Sequence, residues 1–359
     1  TATDLNDKVA ALSCADIYDE PECHGNVKFG ITCIETHMSW IFLTPRFAYK
    51  LKKPVRSDYL DFSTLAAREH YCRIELQLNR RLAPSVYLDV VPLRRSRSGQ
   101  LQIDGRRGEI VDYLVKMVRL PAERMLDRML AARAVRSEHV RSVATTLAEF
   151  YRRGEVLAMT EAQYRARFRA AIHDNYMQLS KGHYSLPHER IARLVAAQLD
   201  YVETNSEFAA RGTHVVDAHG DLRPEHIYLG GQNAGDTAMA GSLLGKSPQI
   251  IDCLEFESDF RKLDPIDEIS FLALECTRLG SPQVGNALLR MYRILSVDLA
   301  SPMLIAFYQS HRATVRAVLA IWHLDDPTVR DRERWHERAL IYIGFAEHFI
   351  AKSQKRMPH

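Results

Sequence analysis

A chain of 359 residues has room for two domains, or for one two-lobed domain, and for a sizeable core. Its 46% hydrophobic and 26% charged residues are ordinary for a globular protein, and 48 basic against 45 acidic side chains leave a formal charge of only +3. That balance argues against a nucleic-acid partner. With no apolar run of roughly 18 residues and no signal-peptide pattern, a cytoplasmic protein without a membrane partner is expected.

Residues 4–20 read as a short amphipathic helix capped by Asp4 or Asn6 and broken by Pro21 and Gly25. Strands are expected at 27–36 and 39–43, joined at Glu35–Ser39 without a glycine, and a third at 47–53 ending before Pro54. Alternate strand side chains share a face, so Ala48, Lys50 and Lys52 point one way and Tyr49 and Leu51 the other. Two lysines beside an alanine are odd for a core face, and solvent exposure of that face is the plain alternative. A long helix over 63–82 carries Glu69 and Glu75 and stops at Ala83-Pro84-Ser85. Strands follow at 86–92, 101–103 and 109–117, with the basic hairpin Arg94–Gly99 read as a solvated turn.

After Leu120-Pro121 the pattern turns helical. Helices are expected at 137–153, at 161–179 behind the capping box Thr160-Glu161-Ala162-Gln163, and at 187–210. Met125, Leu126, Met129 and Leu130 at helical spacing read as core. Two short strands then flank His219-Gly220-Asp221, and a further apolar strand ends at Asp252. Between them, 230–247 is rich in small residues and reads as a mobile loop. Its Gly241-Ser242-Leu243-Leu244-Gly245-Lys246-Ser247 imitates a P-loop but has the wrong spacing and no strand before it. Helices resume at 267–278, 282–296, 302–324 and 327–352. The fold class is α+β: a β-rich lobe over 1–118 and a mainly helical lobe over 119–359. The six cysteines, with no Cys-x-x-Cys pair, read as reduced thiols, and His24 and His37 as ordinary turn histidines.

Phosphoryl transfer asks a protein mainly for positioning and charge neutralisation. Lys50 on an early strand can hold nucleotide phosphates, and Glu75 on the next helix can fix that lysine; Lys52 competes for the phosphate role. Asp221 on its tight loop, shaped by His219 and Gly220, suits the carboxylate that meets an acceptor hydroxyl. Asp252, with Glu255 close behind, suits the carboxylate that holds a divalent metal. The order is lysine strand, glutamate helix, further strands, helices, His-x-Asp loop and strand-Asp.

In this order the chain resembles the aminoglycoside phosphotransferase-like branch of the protein-kinase-like fold. His219-Gly220-Asp221-Leu222-Arg223-Pro224-Glu225-His226 stands where that family has His-Gly-Asp-Leu-His-Pro-x-Asn, Ile251-Asp252-Cys253 at its metal motif, and Ala48-Tyr49-Lys50 at its Ala-x-Lys strand. The resemblance implies a two-lobed kinase fold, ATP and Mg2+ as cofactors, and a small-molecule acceptor. It implies catalytic roles for Asp221, His219 and Arg223, and nucleotide contacts from Lys50, Glu75, Thr36, His37, Ser39 and the Met117–Arg119 link. It also implies metal contacts from Asp252, His226 and Glu255. The stretches 48–54, 60–65 and 75–84 resemble one bacterial subgroup, whose members often carry a C-terminal P-loop kinase-like domain expected to be absent here. Tyr308 and His311–Ala317 resemble that subgroup's late helix, expected on the acceptor side with Arg312 and Arg316.

Two departures stand out. The family's Asn is His226 here; imidazole is a poor ligand for Mg2+, so His226 takes a softer ion such as Mn2+, or Glu225 or Glu255 supplies an oxygen, or metal binding weakens. The first turn has no glycine-rich loop, so Thr36, His37 and Ser39 must meet phosphates themselves. The late helices and tail, from Arg312 to Lys355 and Arg356, are mildly basic, which favours a neutral or anionic acceptor over a polycation. A nucleotide-binding pseudokinase, and a kinase-fold enzyme that modifies a protein with phosphate or AMP, remain alternative readings.

Overall fold

The computed structural model describes residues 2–20, 30–57, 60–230, 244–245, 247–326 and 329–354. Within these the chain forms two compact units, Thr1–Ala134 with Glu225–Phe260, and Val135–Pro224 with Arg261–His359. The boundary differs from the expected 118/119. Beyond that point the chain makes a one-turn 3-10 helix and a short helix that the sequence pattern did not separate. Their neighbour is the segment after the His-Gly-Asp loop: Met125 bridges Tyr228, and the Leu229 amide donates to the Arg124 carbonyl. The expected loop at 230–247, its P-loop imitation, His24, Lys355 and Arg356 lie outside the described residues wholly or in large part.

The first unit is built on a six-stranded antiparallel sheet. Its strands are β1 (Thr32–Glu35), β2 (Ser39–Leu43), β3 (Phe47–Lys52), β6 (Tyr87–Arg95), β7 (Leu101–Ile103) and β8 (Glu109–Val118), in the order β1-β2-β3-β8-β6-β7. A small hairpin of β4 (Arg56–Ser57) and β5 (Leu60–Asp61) was not expected. Period-2 alternation gives the sheet two different faces. Tyr49 and Leu51 pack with Phe42, Leu93 and Leu114 against Leu12, the last residue of helix α1 (Ala2–Leu12), and Tyr18 beyond it. The opposite face carries Ala48, Val90, Val115 and Met117 and packs against α2 (Leu65–Asn79), capped by the Thr64 hydroxyl. Lys50 and Lys52 lie on this second face, so the face is interior and needs its own counter-charges.

The second unit contains α4 (Ser137–Arg153), α5 (Glu161–Leu179), α6 (His188–Thr204), α7 (Ser206–Ala210), α8 (Pro265–Arg278), α9 (Pro282–Ser296), α10 (Pro302–Trp322) and α11 (Arg332–Ser353); α3 (Leu126–Ala131) belongs to the first. The helix expected over 187–210 is two helices, because the Asn205 carboxamide accepts from the Phe208 amide and starts a new one. Between α7 and α8, β9 (Val216–Asp217) pairs with β12 (Lys262–Leu263). Helix α8 is buried from Pro265 to Cys276, and its carboxylates have internal partners: Asp264 with Arg211, Asp267 with Arg312, Glu275 with Arg278. The Tyr308 hydroxyl donates to Asp264, and the buried His311 ring lies against Phe168, its pKa driven down to about 3 by burial with Arg312 and Arg167 adding to it. Tyr308 and His311 of this stretch therefore lie in the core of the second unit. Among the described residues no helix is long and apolar enough to cross a membrane.

Phe168 sits at the centre of an aromatic cluster, edge-on to Phe208 at 5.0 Å between ring centroids and 6.0 Å from Phe307. Phe168→Ala is expected to cost about 3–5 kcal/mol, read as a lowered denaturant midpoint by near-ultraviolet circular dichroism. A cost below about 1 kcal/mol would contradict this packing.

Candidate functional site

The first unit's site starts at Glu75, which α2 turns toward the sheet and which is 0% exposed. Its Oε1 accepts from Lys50 Nζ at 2.8 Å and its Oε2 from Lys52 Nζ at 2.6 Å. Each lysine then reaches a second carboxylate: Lys50 meets Asp252 Oδ1 at 3.0 Å, and Lys52 meets Glu255 Oε1 at 2.5 Å. Burial raises the Glu75 pKa, but Lys50 and then Lys52 outweigh it and hold the carboxyl below the ordinary glutamate value. Burial likewise opposes the Lys50 charge, yet Asp252, Glu75 and Glu255 hold its pKa well above that of an ordinary lysine. The lysines differ in access. Lys52 has 0% side-chain exposure and lies over the Phe62 ring, whereas Lys50 keeps 13% and Asp252 45%. The neighbouring Cys72 thiol is pushed up to about 12 by burial, so it is no nucleophile.

Asp252 follows the two-stranded ladder of β10 (Ile227–Tyr228) and β11 (Gln249–Ile250). Its φ of 63° is left-handed, a conformation aspartate tolerates better than most residues. The conformation is pinned from two elements. The Asp252 amide donates to the Tyr87 hydroxyl at 3.2 Å, and the Cys253 amide donates to Asn79 Oδ1 at 2.9 Å while Asn79 Nδ2 donates to the Glu75 carbonyl. Asp252 Oδ2 lies 3.5 Å from His226 Nε2. Glu255, expected beside the metal, is instead committed to Lys52. Among the described residues no group of three or more His, Cys, Asp or Glu side chains could by itself hold a metal. Asp252 and His226 are the two side chains here that could contribute to holding a metal.

In the second unit, Gly220 takes φ 92°, which lets the chain turn sharply before Asp221. Beneath the turn lies Glu268 of α8, fully buried. Its Oε2 accepts from the His219 amide at 3.1 Å and from the Tyr151 hydroxyl at 2.6 Å, and its Oε1 accepts from the Gly220 amide at 2.5 Å. Burial nevertheless raises its pKa, against the lowering by those three donors. The buried His219 accepts from the Asp221 amide through Nδ1 at 3.3 Å and so helps to shape the loop. Arg223 grips Asp221 Oδ2, with Nη2 at 2.8 Å and Nε at 3.0 Å.

Several expected contacts are spent elsewhere. The Thr36 hydroxyl accepts from the Ser39 amide at 2.9 Å and donates to the Ser39 carbonyl at 3.0 Å, closing the glycine-free turn on itself around the exposed His37. The Val118 amide donates to Val86, the Arg119 amide to Arg46, and the Arg119 guanidinium to Thr44, so these donors of the expected adenine link are engaged within the chain. Met117 lies in the α2-side apolar cluster. Arg312 is held by a two-pronged pair with Asp267 at 2.7 and 2.8 Å, and Arg316 lies against Tyr342 and Glu275. Both arginines, expected on the acceptor side, have these partners within the second unit. Sequence reasoning missed Glu268, Tyr151, Tyr87 and Asn79 as supports. Only Asn79, a polar residue at a core position of α2, left a trace in the pattern.

No protein-family model matches the chain. Uncharacterised proteins of Mycobacterium tuberculosis and Mycobacterium bovis are 31% identical to it over 292 residues, 79% of this chain and 53% of theirs. The chain thus spans about half the length of the curated relatives it matches. A choline/ethanolamine kinase family protein from Mesorhizobium loti shares 13% identity and a TM-score of 0.52 over 98% of this chain and 99% of its own. An aminoglycoside phosphotransferase in complex with GDP and kanamycin shares 13% identity and a TM-score of 0.53, over 89% of this chain and 93% of its own. The fold is therefore α+β, two-lobed and protein-kinase-like, as in these kinases.

The buried network has a pH signature. Because the folded-state pKa of Glu75 is depressed, its contribution to stability is present above the ordinary glutamate value of about 4.3 and is lost as pH falls through the lower folded value. Lys52→Met removes one of the two lysines that depress it. The acid-unfolding midpoint followed by circular dichroism should move to higher pH, and an unmoved midpoint would contradict the shared-carboxylate network.

Proposed function

We propose that this chain transfers the γ-phosphate of ATP to a hydroxyl of a small-molecule acceptor, in the cytoplasm. The observation that carries the reading is the Lys50 ammonium held between Glu75 and Asp252, charged and partly open, with its geometry fixed before any substrate arrives. Lys50, the more accessible lysine, is the phosphate-holding cation; Lys52 is the buried brace. The exposed Asp252 carboxylate, with the nearby His226 imidazole, fits a divalent ion, and such an ion when bound neutralises phosphate charge.

Asp221 receives the hydrogen bond of the acceptor hydroxyl and takes up its proton as the hydroxyl oxygen bonds to the γ-phosphorus and the bond from that phosphorus to the bridging oxygen breaks, releasing ADP. Glu268 and the left-handed Gly220 keep its loop in place, and Arg223 orients the carboxylate by holding one oxygen. A kinase-like fold shared with proteins described as choline/ethanolamine and aminoglycoside kinases supports a hydroxyl-bearing small molecule as acceptor.

Asp221→Asn should lower phosphate transfer by about 10²–10⁴-fold across a panel of amino alcohols and amino sugars. Nucleotide affinity, measured by titration calorimetry, should stay within about threefold. Lys50→Ala should instead weaken nucleotide binding. Unchanged turnover in Asp221→Asn would overturn the assignment.

A further inference from the structure

We propose that the second unit carries a separate oxyanion site, built by Arg338, Arg334 and Arg316 where the C-terminal end of α8 meets α10 and α11, and that it takes the dianionic phosphate group of a small phosphomonoester. This site stands apart from the residues proposed above for phosphate transfer and does not depend on that reading. Glu268, which holds the Asp221 loop, is in the first turn of α8; Glu275 and Arg278 lie about 10 and about 15 Å further along the same helix.

Three helices bring the charges together. Helix α10 packs along both α8 and α11. On α11 a spacing of four places Arg334, Arg338 and Tyr342 on one face. The Tyr342 hydroxyl donates to Glu275 Oε1 at 2.7 Å and so ties that face to the end of α8. Arg278 donates through Nε to Glu275 Oε2, also at 2.7 Å. Arg316 of α10 lies over the Tyr342 ring and reaches Glu275 Oε1 only at 3.9 Å. The Arg338 guanidinium lies 4.9 Å from the centroid of the Trp335 ring, which also stacks on His323.

The charges in this cluster do not balance. Glu275 is fully buried, and its two oxygens already serve Arg278, Tyr342 and Arg316. Among the described residues neither Arg334 nor Arg338 forms an ion pair; Glu333 and Glu337 beside them are exposed and pair with neither. Arg334 and Arg338, one turn apart, repel each other. Burial holds the Arg338 pKa below the ordinary arginine value, and the charges of Arg278, Arg334 and Arg316 lower it further. A half-buried guanidinium among like charges gains most from an added anion. Guanidinium forks match phosphate oxygens two at a time, and a phosphomonoester brings a double charge and three terminal oxygens, enough to meet arginines of α10 and α11 together. A carboxylate brings a single charge and two oxygens.

Isothermal titration of the whole chain with glycerol phosphate and with inorganic phosphate, at constant ionic strength set with chloride, tests the site. One saturable site for glycerol phosphate is expected, with Kd below about 1 mM. It should be retained in Lys50→Ala and weakened at least about tenfold in both Arg338→Gln and the exposed Arg334→Gln, through loss of a charge-assisted hydrogen bond. Without phosphate, Arg338→Gln should melt no lower than the unaltered chain, because it removes repulsion. A lowered melting temperature with unchanged phosphate affinity would mark a structural arginine and overturn the site. Absence of saturable binding, affinity unmoved in both arginine variants, or loss of binding in Lys50→Ala alone would overturn it as well. Binding of inorganic phosphate without glycerol phosphate, or of an oligoglutamate peptide with neither phosphate, would contradict the phosphomonoester assignment.

Discussion

Glu75 has no contact with solvent and serves two lysines at once, one on each oxygen. The rest of the first unit's site follows from that constraint. A single buried lysine–carboxylate pair would suffer from desolvation of both charges. Here the charges extend into a chain, Asp252–Lys50–Glu75–Lys52–Glu255, in which each ammonium lies between two carboxylates and the outer carboxylate at one end reaches solvent. The inner members stay ionised because each is flanked by opposite charge, and Asp252 is the exposed end.

The same chain explains how Asp252 keeps a left-handed backbone. Glu255, three residues on, is drawn to β3 by Lys52, Cys253 is held by Asn79, and the Asp252 amide is held by Tyr87. The electrostatic network and the backbone hydrogen bonds thus act on one segment. In the second unit the arrangement is reversed: Glu268, a single buried carboxylate whose charge burial disfavours, accepts from two successive backbone amides and a tyrosine to fix the Asp221 loop. One site is stiffened by ion pairs, the other by backbone donors.

Much of this could be read in the sequence. Period-2 alternation put Lys50 and Lys52 on one face, helical spacing put Glu75 on α2, and His219-Gly220-Asp221 marked its own turn. The pattern could not say that the lysine face is interior, because that depends on α2 covering it and supplying Glu75. Nor could it show that Arg312 is spent on Asp267, or that Tyr308 and His311 are core, since both depend on long-range packing of α10 against α8 and α5. The unit boundary escaped for the same reason: the return of Glu225–Phe260 to the first unit rests on pairing with distant residues such as Met125 and Arg124.

The central claim is that the accessible end of this charge chain serves transfer of a γ-phosphate to a hydroxyl. Phosphorus-31 nuclear magnetic resonance of the whole chain with ATP, a divalent metal and a pool of hydroxyl-bearing small molecules tests it most directly. The account predicts ADP together with a new phosphomonoester resonance. Appearance of AMP and pyrophosphate, or ATP unconsumed across acceptor pools with either Mn2+ or Mg2+, would contradict it.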